Sequence, residues 1–188
     1  MSRLLIIIAV VPIVITFAIR WWFGLRRLSS SKHQQCRCDL EKWEATFGSE
    51  NLPSSDSGDA IIFATALRKA ALADWKTREP KTATSREGTR RFSMAVPPLV
   101  AMVAILASLV GRIPFGMALA IFLLAIAFCA AISYLSIATE LKAILTICRR
   151  LQGSRIFSRT DDEEAVINAT NGLAWKEAAP PIFNLIQK

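Results

Sequence analysis

Histidine is nearly absent from this chain, with His33 the only one. That excludes the H-E-x-x-H zinc motif, a multi-histidine metal site and any pair of histidine ligands on one helix. A Ser-His-Asp arrangement would have to draw on His33, which lies in a polar stretch, and no nucleophile-elbow motif occurs. Glycine-rich phosphate loops are missing as well, since Gly48, Gly58, Gly88 and Gly153 stand isolated. The 4 cysteines make no disulfide framework. Cys129 lies within an apolar run, Cys148 on a helical face, and Cys36 and Cys38 are too close to bridge comfortably. Reduced thiols facing the cytoplasm are the expectation. There is no internal repeat.

What the 188 residues do have is apolar sequence, 53% of the total, gathered into long uncharged blocks. Apolar residues spread at helical or strand spacing describe a soluble core, whereas blocks of this length describe membrane spans. The net charge of +8 is distributed accordingly. Arg20, Arg26, Arg27 and Lys32 follow the first block, Arg86, Arg90 and Arg91 precede the second, and Lys142, Arg149 and Arg150 follow the third. Cations placed beside apolar blocks act as topology signals and attract anionic lipid headgroups, so the expected partner is a lipid bilayer, with another membrane protein as a second partner and no nucleic acid.

The first block runs from Leu4 to Ile19 and continues through Arg20 into Trp21-Trp22-Phe23. It is short for a span, but the aromatic trio forms an interfacial belt and Arg20 can snorkel. No small-x-small cleavage site follows, so a retained anchor over 1–23 is expected in preference to a cleaved signal peptide. Only Arg3 and the α-amino group precede the block while five cations follow, which places the N-terminus outside and the next segment in the cytoplasm.

Residues 24–93 read as a basic cytoplasmic segment. Leu40, Trp43 and Phe47 behind Asp39, with Gly48 as a stop, predict a short amphipathic helix lying on the membrane or on the rest of the protein. A longer helix is expected over about 59–79, where Ala60, Phe63, Ala64, Leu67, Ala70, Ala71 and Trp75 form one stripe and Arg68, Lys69 and Lys76 lie off it. Pro80 ends it, and Lys81 to Arg91 reads as a basic linker.

A transmembrane hairpin over 94–138 follows. Met94 to Val110 spans roughly 26 Å as helix and Ile113 to Ala138 roughly 39 Å, so the second must tilt or protrude. Pro97-Pro98 fits the first turn of the first span, and the break at Gly111 and Arg112 demands antiparallel packing. Apolar spacing then continues through Leu141, Ile144, Leu145, Cys148 and Leu151, so one helix runs from about Phe115 to Gln152 and carries Glu140 where it leaves the bilayer. In the C-terminal segment, 139–188, Thr160-Asp161-Asp162-Glu163 opens a helix towards Lys176 and Pro180-Pro181 precedes a short apolar tail. The fold class expected is therefore all-α, an N-terminal anchor plus a tight hairpin with amphipathic cytoplasmic helices.

Chemistry-bearing groups are few. His33, Cys36 and Cys38 are the one constellation of metal-capable side chains close in sequence, though C-x-C is not the common C-x-x-C knuckle and has no second half. Ser133, Tyr134 and Ser136 lie near the inner end of the third span, where helix-to-helix hydrogen bonding is their ordinary role and no base accompanies them.

The order of parts resembles the integral-membrane neutral zinc metallopeptidases of bacteria: an anchor, a cytoplasmic helix, a basic linker, a tight membrane hairpin, an acid at its inner end and a final pair of helices. That family bears H-E-x-G-H on the cytoplasmic helix and E-F-D-A-S on the helix leaving the membrane. Glu140-Leu141-Lys142-Ala143-Ile144 falls on the second motif, which implies that Glu140 takes the third-ligand position. Arg68-Lys69-Ala70-Ala71-Leu72 falls on the first, with Arg68 and Leu72 in place of both histidines and Lys69 in place of the catalytic glutamate. Two cations cannot bind zinc, and no general base remains to activate water. The resemblance implies a pseudopeptidase of the bacterial inner membrane, with no catalytic residues and no cofactor, acting by binding or assembly, in which Lys69 or Arg68 pairs with Glu140. Two alternatives accompany it. One is an active zinc metallopeptidase whose ligands join Glu140 from a partner subunit or from His33, Cys36 and Cys38; the other is an unrelated membrane scaffold.

Overall fold

The structure is a computed structural model and describes residues 2–31 and 33–178. The chain is predominantly helical. Helix α1 (Ser2–Ile19) passes into a π-helical turn (Arg20–Leu25) and a short α2 (Arg26–Ser31), followed by strand β1 (Gln35–Arg37), α3 (Leu40–Phe47), a 3-10 turn (Ser49–Asn51) and strand β2 (Ser57–Asp59). Four long helices complete the described chain: α4 (Ala60–Arg78), α5 (Pro80–Leu109), α6 (Phe115–Ser154) and α7 (Thr160–Ala178). Ile182, Phe183, Leu185 and Ile186 of the expected apolar tail lie outside the described residues.

These elements form two compact units, one from Met1–Arg20, Ser85–Ser136 and Glu177–Lys188, the other from Trp21–Thr84 and Ile137–Lys176. The first is the hairpin unit. Helices α5 and α6 are long and apolar enough to cross a membrane. Gly111 makes their turn possible: at φ 73° it adopts the left-handed conformation that side chains disfavour. Its amide donates to Ser108 O at 3.0 Å and that of Arg112 to Ala107 O at 3.1 Å, the paired bonds of a Schellman cap. Pro114 then opens α6, its carbonyl accepting from Met117 N at 2.9 Å. Small side chains, Ala104, Ala118, Ala120, Ala127, Cys129, Ala130 and Ser133, fill the buried face of this unit. Such residues let helix backbones approach closely. Leu99, Val103, Leu106, Leu109, Phe115 and Leu135 are exposed.

The second unit has a conventional apolar core. Trp43 of α3 is wholly buried, and its ring meets Phe47, Phe63 and Phe157 at 5.1, 6.4 and 6.3 Å between centroids. Its indole N–H donates to Asn51 O at 2.9 Å, so the ring is buried with its polar group satisfied. Helix α3 therefore packs on protein, the second of the two placements open to it. Asp39 caps it by accepting from Lys42 N, and Gly48 ends it. The buried side of α4 is the stripe Ala60, Phe63, Ala64, Leu67, Ala70, Ala71 and Trp75. Ile144, Ile147 and Leu151 of α6 and Val166 of α7 join the same core.

Three expectations are corrected. The fold is not purely α, because β1 and β2 pair antiparallel with Cys36 opposite Gly58, and Cys38 bridges to Phe157. Residues 81–91 are not a linker but the first turns of α5. Pro80 occupies the position where a missing amide costs least, so it starts a helix as well as ending one. The hydroxyls of Thr82, Thr84 and Thr89 fold back onto carbonyls three or four residues earlier. Arg91 pairs with Glu87 one turn away. Pro97-Pro98 consequently sits inside α5 instead of in a first turn, with Pro97 fully buried.

Candidate functional site

The second unit buries an ion pair between Arg68 and Glu140. Glu140 projects from α6 between Ile137 and Ile144, which are both buried, and its side chain is 5% exposed. Arg68 projects from α4 one residue beyond the core residue Leu67, and its Nη2 donates to Glu140 Oε1 at 2.6 Å with the Arg68 side chain 11% exposed. Short separation and exclusion of water make this a charge-assisted bond of the strong kind. Each charge is tolerable there because the other is present. Leu72, one helical turn on from Arg68, packs with Trp75, Ala83 and Ala143.

Of the residues singled out from sequence, the structure brings Arg68 and Glu140 together and sends Lys69 elsewhere: its Nζ donates to Glu50 O at 3.2 Å. His33 is exposed and its Nδ1 lies 3.3 Å from Asp59 Oδ2. Cys36 and Cys38 point into the core of the second unit, Cys36 within 3.8 Å of Asp162 O. Burial, reinforced by nearby Asp carboxylates, pushes both thiols up to about 11. Burial alone raises Cys148 to about 12. Burial thus disfavours the thiolate form of these sulfurs. Among the described residues no three His, Cys, Asp or Glu side chains converge as a ligand set.

Polar groups of the hairpin unit bond between helices. Ser133 Oγ donates to Ser93 Oγ at 2.8 Å, Ser93 Oγ to Cys129 O at 3.3 Å, and Tyr134 Oη to Thr16 O at 3.2 Å. Arg86 reaches Ser136 Oγ at 2.7 Å and Ser133 O at 3.3 Å. Arg20 does not snorkel: it is 1% exposed, with Tyr134 as an electrostatic neighbour.

Sequence reasoning missed two further features. Asp74 of α4 pairs with both Arg78 and Arg150, the latter at 3.3 Å, linking α4 to α6. Gly24 and Gly172 form a close backbone crossing, since a Cβ on Gly172 would lie 3.2 Å from Gly24 O and Leu28 N. The small residues were visible, but their pairing depends on long-range folding.

No family model, no curated protein and no solved structure matches the chain.

Proposed function

We propose that this is an integral membrane protein of three spans, α1 and the α5–α6 hairpin, with a non-catalytic binding or assembly role. Its N-terminus is outside, its C-terminus cytoplasmic, and its setting a bacterial inner membrane. The apolar surface left exposed on α5 and α6 and the cations flanking each apolar block support the membrane part. The observation that carries the non-catalytic part is the Arg68–Glu140 pair. On the resemblance to membrane zinc metallopeptidases, Glu140 holds the third-ligand position, and here that carboxylate is paired with the Arg68 guanidinium. Lys69 supplies no base, so water activation has neither metal nor proton acceptor.

The experiment is metal analysis of the purified protein and of the triple variant R68H/K69E/L72H, which writes the missing motif into α4. The native protein is expected to carry no stoichiometric zinc. The triple variant is expected to bind about one equivalent by a four-coordinate site, lost on adding Glu140→Ala. Zinc in the native protein, lost on Glu140→Ala, would establish the active metallopeptidase instead. A folded triple variant that binds none would remove the basis for relating the chain to those enzymes.

A further inference from the structure

Between the end of α1 and β1, the second unit carries aromatic side chains that its own core does not use. Trp21 and Trp22 are 59% and 52% exposed, and their rings lie 6.3 Å apart. The Arg26 guanidinium sits over the Trp22 ring, 4.5 Å from its centroid, and that of Arg27 lies 5.7 Å from Phe23. Both pairs are four residues apart, so each cation rests on the aromatic ring one turn before it. Stacking of this kind holds a guanidinium in a fixed place while leaving its N–H groups free to bond outward.

The opposite side of the same segment is fastened to α7. Gly24, Leu28 and Ser31 are buried at helical spacing. Gly24 is so close to α7 that a Cβ there would lie 3.2 Å from Lys176 N. Phe23, the ring beside Arg27, also packs on Trp175 at 5.4 Å and so ties the two sides together. The aromatic and cationic side is therefore presented by a supported backbone. Charge complementarity selects its occupant: residues 21–38 contain Arg26, Arg27, Lys32 and Arg37 and not one Asp or Glu. Indole rings favour the headgroup level of a bilayer, and guanidinium groups beside them favour phosphate.

We infer that Trp21, Trp22, Arg26 and Arg27 form a docking site for anionic phospholipid headgroups, with the indoles at the interface and the two guanidinium groups on lipid phosphate. The inference rests on the membrane reading above and narrows it to one surface and one lipid class. Two surface cations enrich anionic over neutral lipid on the order of 30-fold at low salt, and screening reduces this as salt rises.

The test uses the full chain in phosphatidylcholine vesicles doped with either brominated phosphatidylglycerol or brominated phosphatidylcholine, reading quenching of tryptophan fluorescence. Stronger quenching by the anionic lipid is expected, mostly lost in W21F/W22F. The anionic excess should vanish in R26Q/R27Q and persist in R26K/R27K, which keeps the charge. Carbonate extraction at high pH is run on the same vesicles. Equal quenching by both lipids in a protein that resists extraction overturns the docking site and leaves the membrane reading standing. An anionic excess unchanged in R26Q/R27Q also overturns the site. Extraction of the protein overturns the integral reading, whatever the quenching shows.

Discussion

Arg68 of α4 and Glu140 of α6 are 72 residues apart in sequence and 2.6 Å apart in space, in a pocket of the second unit that water barely reaches. Deleting either partner takes this bond from the other's buried charge. Glu140→Ala and Arg68→Ala should each lower stability by about 3–5 kcal/mol. The double variant R68M/E140L, which replaces both charges with apolar groups, should recover most of that loss. Denaturant unfolding in detergent micelles measures all three. A double variant as unstable as the singles would mean that the loss in each single comes from the pair's own net attraction and not from a buried charge left behind.

How much of this was legible locally depends on the range of the interaction. The buried stripe of α4 follows from a 3.6-residue period, and the limits of α3 follow from Asp39 and Gly48, all of which act within one or two turns. The hairpin break is equally local, because only Gly111 accepts the required φ. The strands were hidden: Gln35-Cys36-Arg37 and Ser57-Gly58-Asp59 contain no β-branched or aromatic residue, and their pairing is made by distant chain. Arg68 lies off the apolar stripe and nothing beside it marks it as buried, since burial comes from α6. In residues 81–91 Thr, Ser85 and Gly88 read as loop punctuation, but Lys81, Ala83, Arg86, Glu87, Arg90 and Arg91 are good helix formers, and Thr hydroxyl back-bonds and the Arg86 bonds to Ser133 and Ser136 accompany a helix there.

Cys36 and Cys38 should behave as core residues, with acid–base consequences of a definite sign. Their folded-state values are raised from 9.0 to about 11, so the folded state favours the protonated thiol. The associated stability is present in full below pH 9 and is lost as pH rises from there through about 11. The native protein should therefore lose stability more steeply over that range than C36A/C38A does. At pH 8, alkylation of both thiols should be slower than in the unfolded chain by about 100-fold or more, from the thiolate fraction alone. Mass spectrometry of iodoacetamide-treated protein, native against denatured, gives that ratio. Equal rates would show that the sulfurs are accessible and ionised.

Gly172, at the crossing with Gly24, and Gly88, in α5, give two glycine substitutions of opposite sign. A side chain at Gly172 meets Gly24 O, Leu28 N and Leu28 Cβ at 3.2 to 3.3 Å, and backbone atoms held between two helices yield little. Gly172→Leu should destabilise by about 1–3 kcal/mol, as overpacking does. Gly88, inside α5, has nothing within 4 Å of where a Cβ would stand, so Gly88→Ala should stabilise by about 0.5–1 kcal/mol through helix propensity. Thermal unfolding of the two variants beside the native protein decides it; a tolerated Leu at 172 would contradict close α2–α7 packing.

Ser133 tests the small-residue face of the hairpin. Its hydroxyl donates to Ser93 and its side chain is 3% exposed, so it both bonds and leaves room. The two contributions separate by substitution. Ser133→Ala keeps the size and removes the bond, and should cost about 0.6 kcal/mol, the mean for hydrogen bonds between membrane helices. Ser133→Leu forces α5 and α6 apart and should cost about 1–3 kcal/mol. At exposed Leu135, two residues on and 80% exposed, Leu135→Ala should change unfolding in micelles little, because detergent solvates either side chain. If Ser133→Leu were as mild as Leu135→Ala, the face assigned to helix packing would be the wrong one.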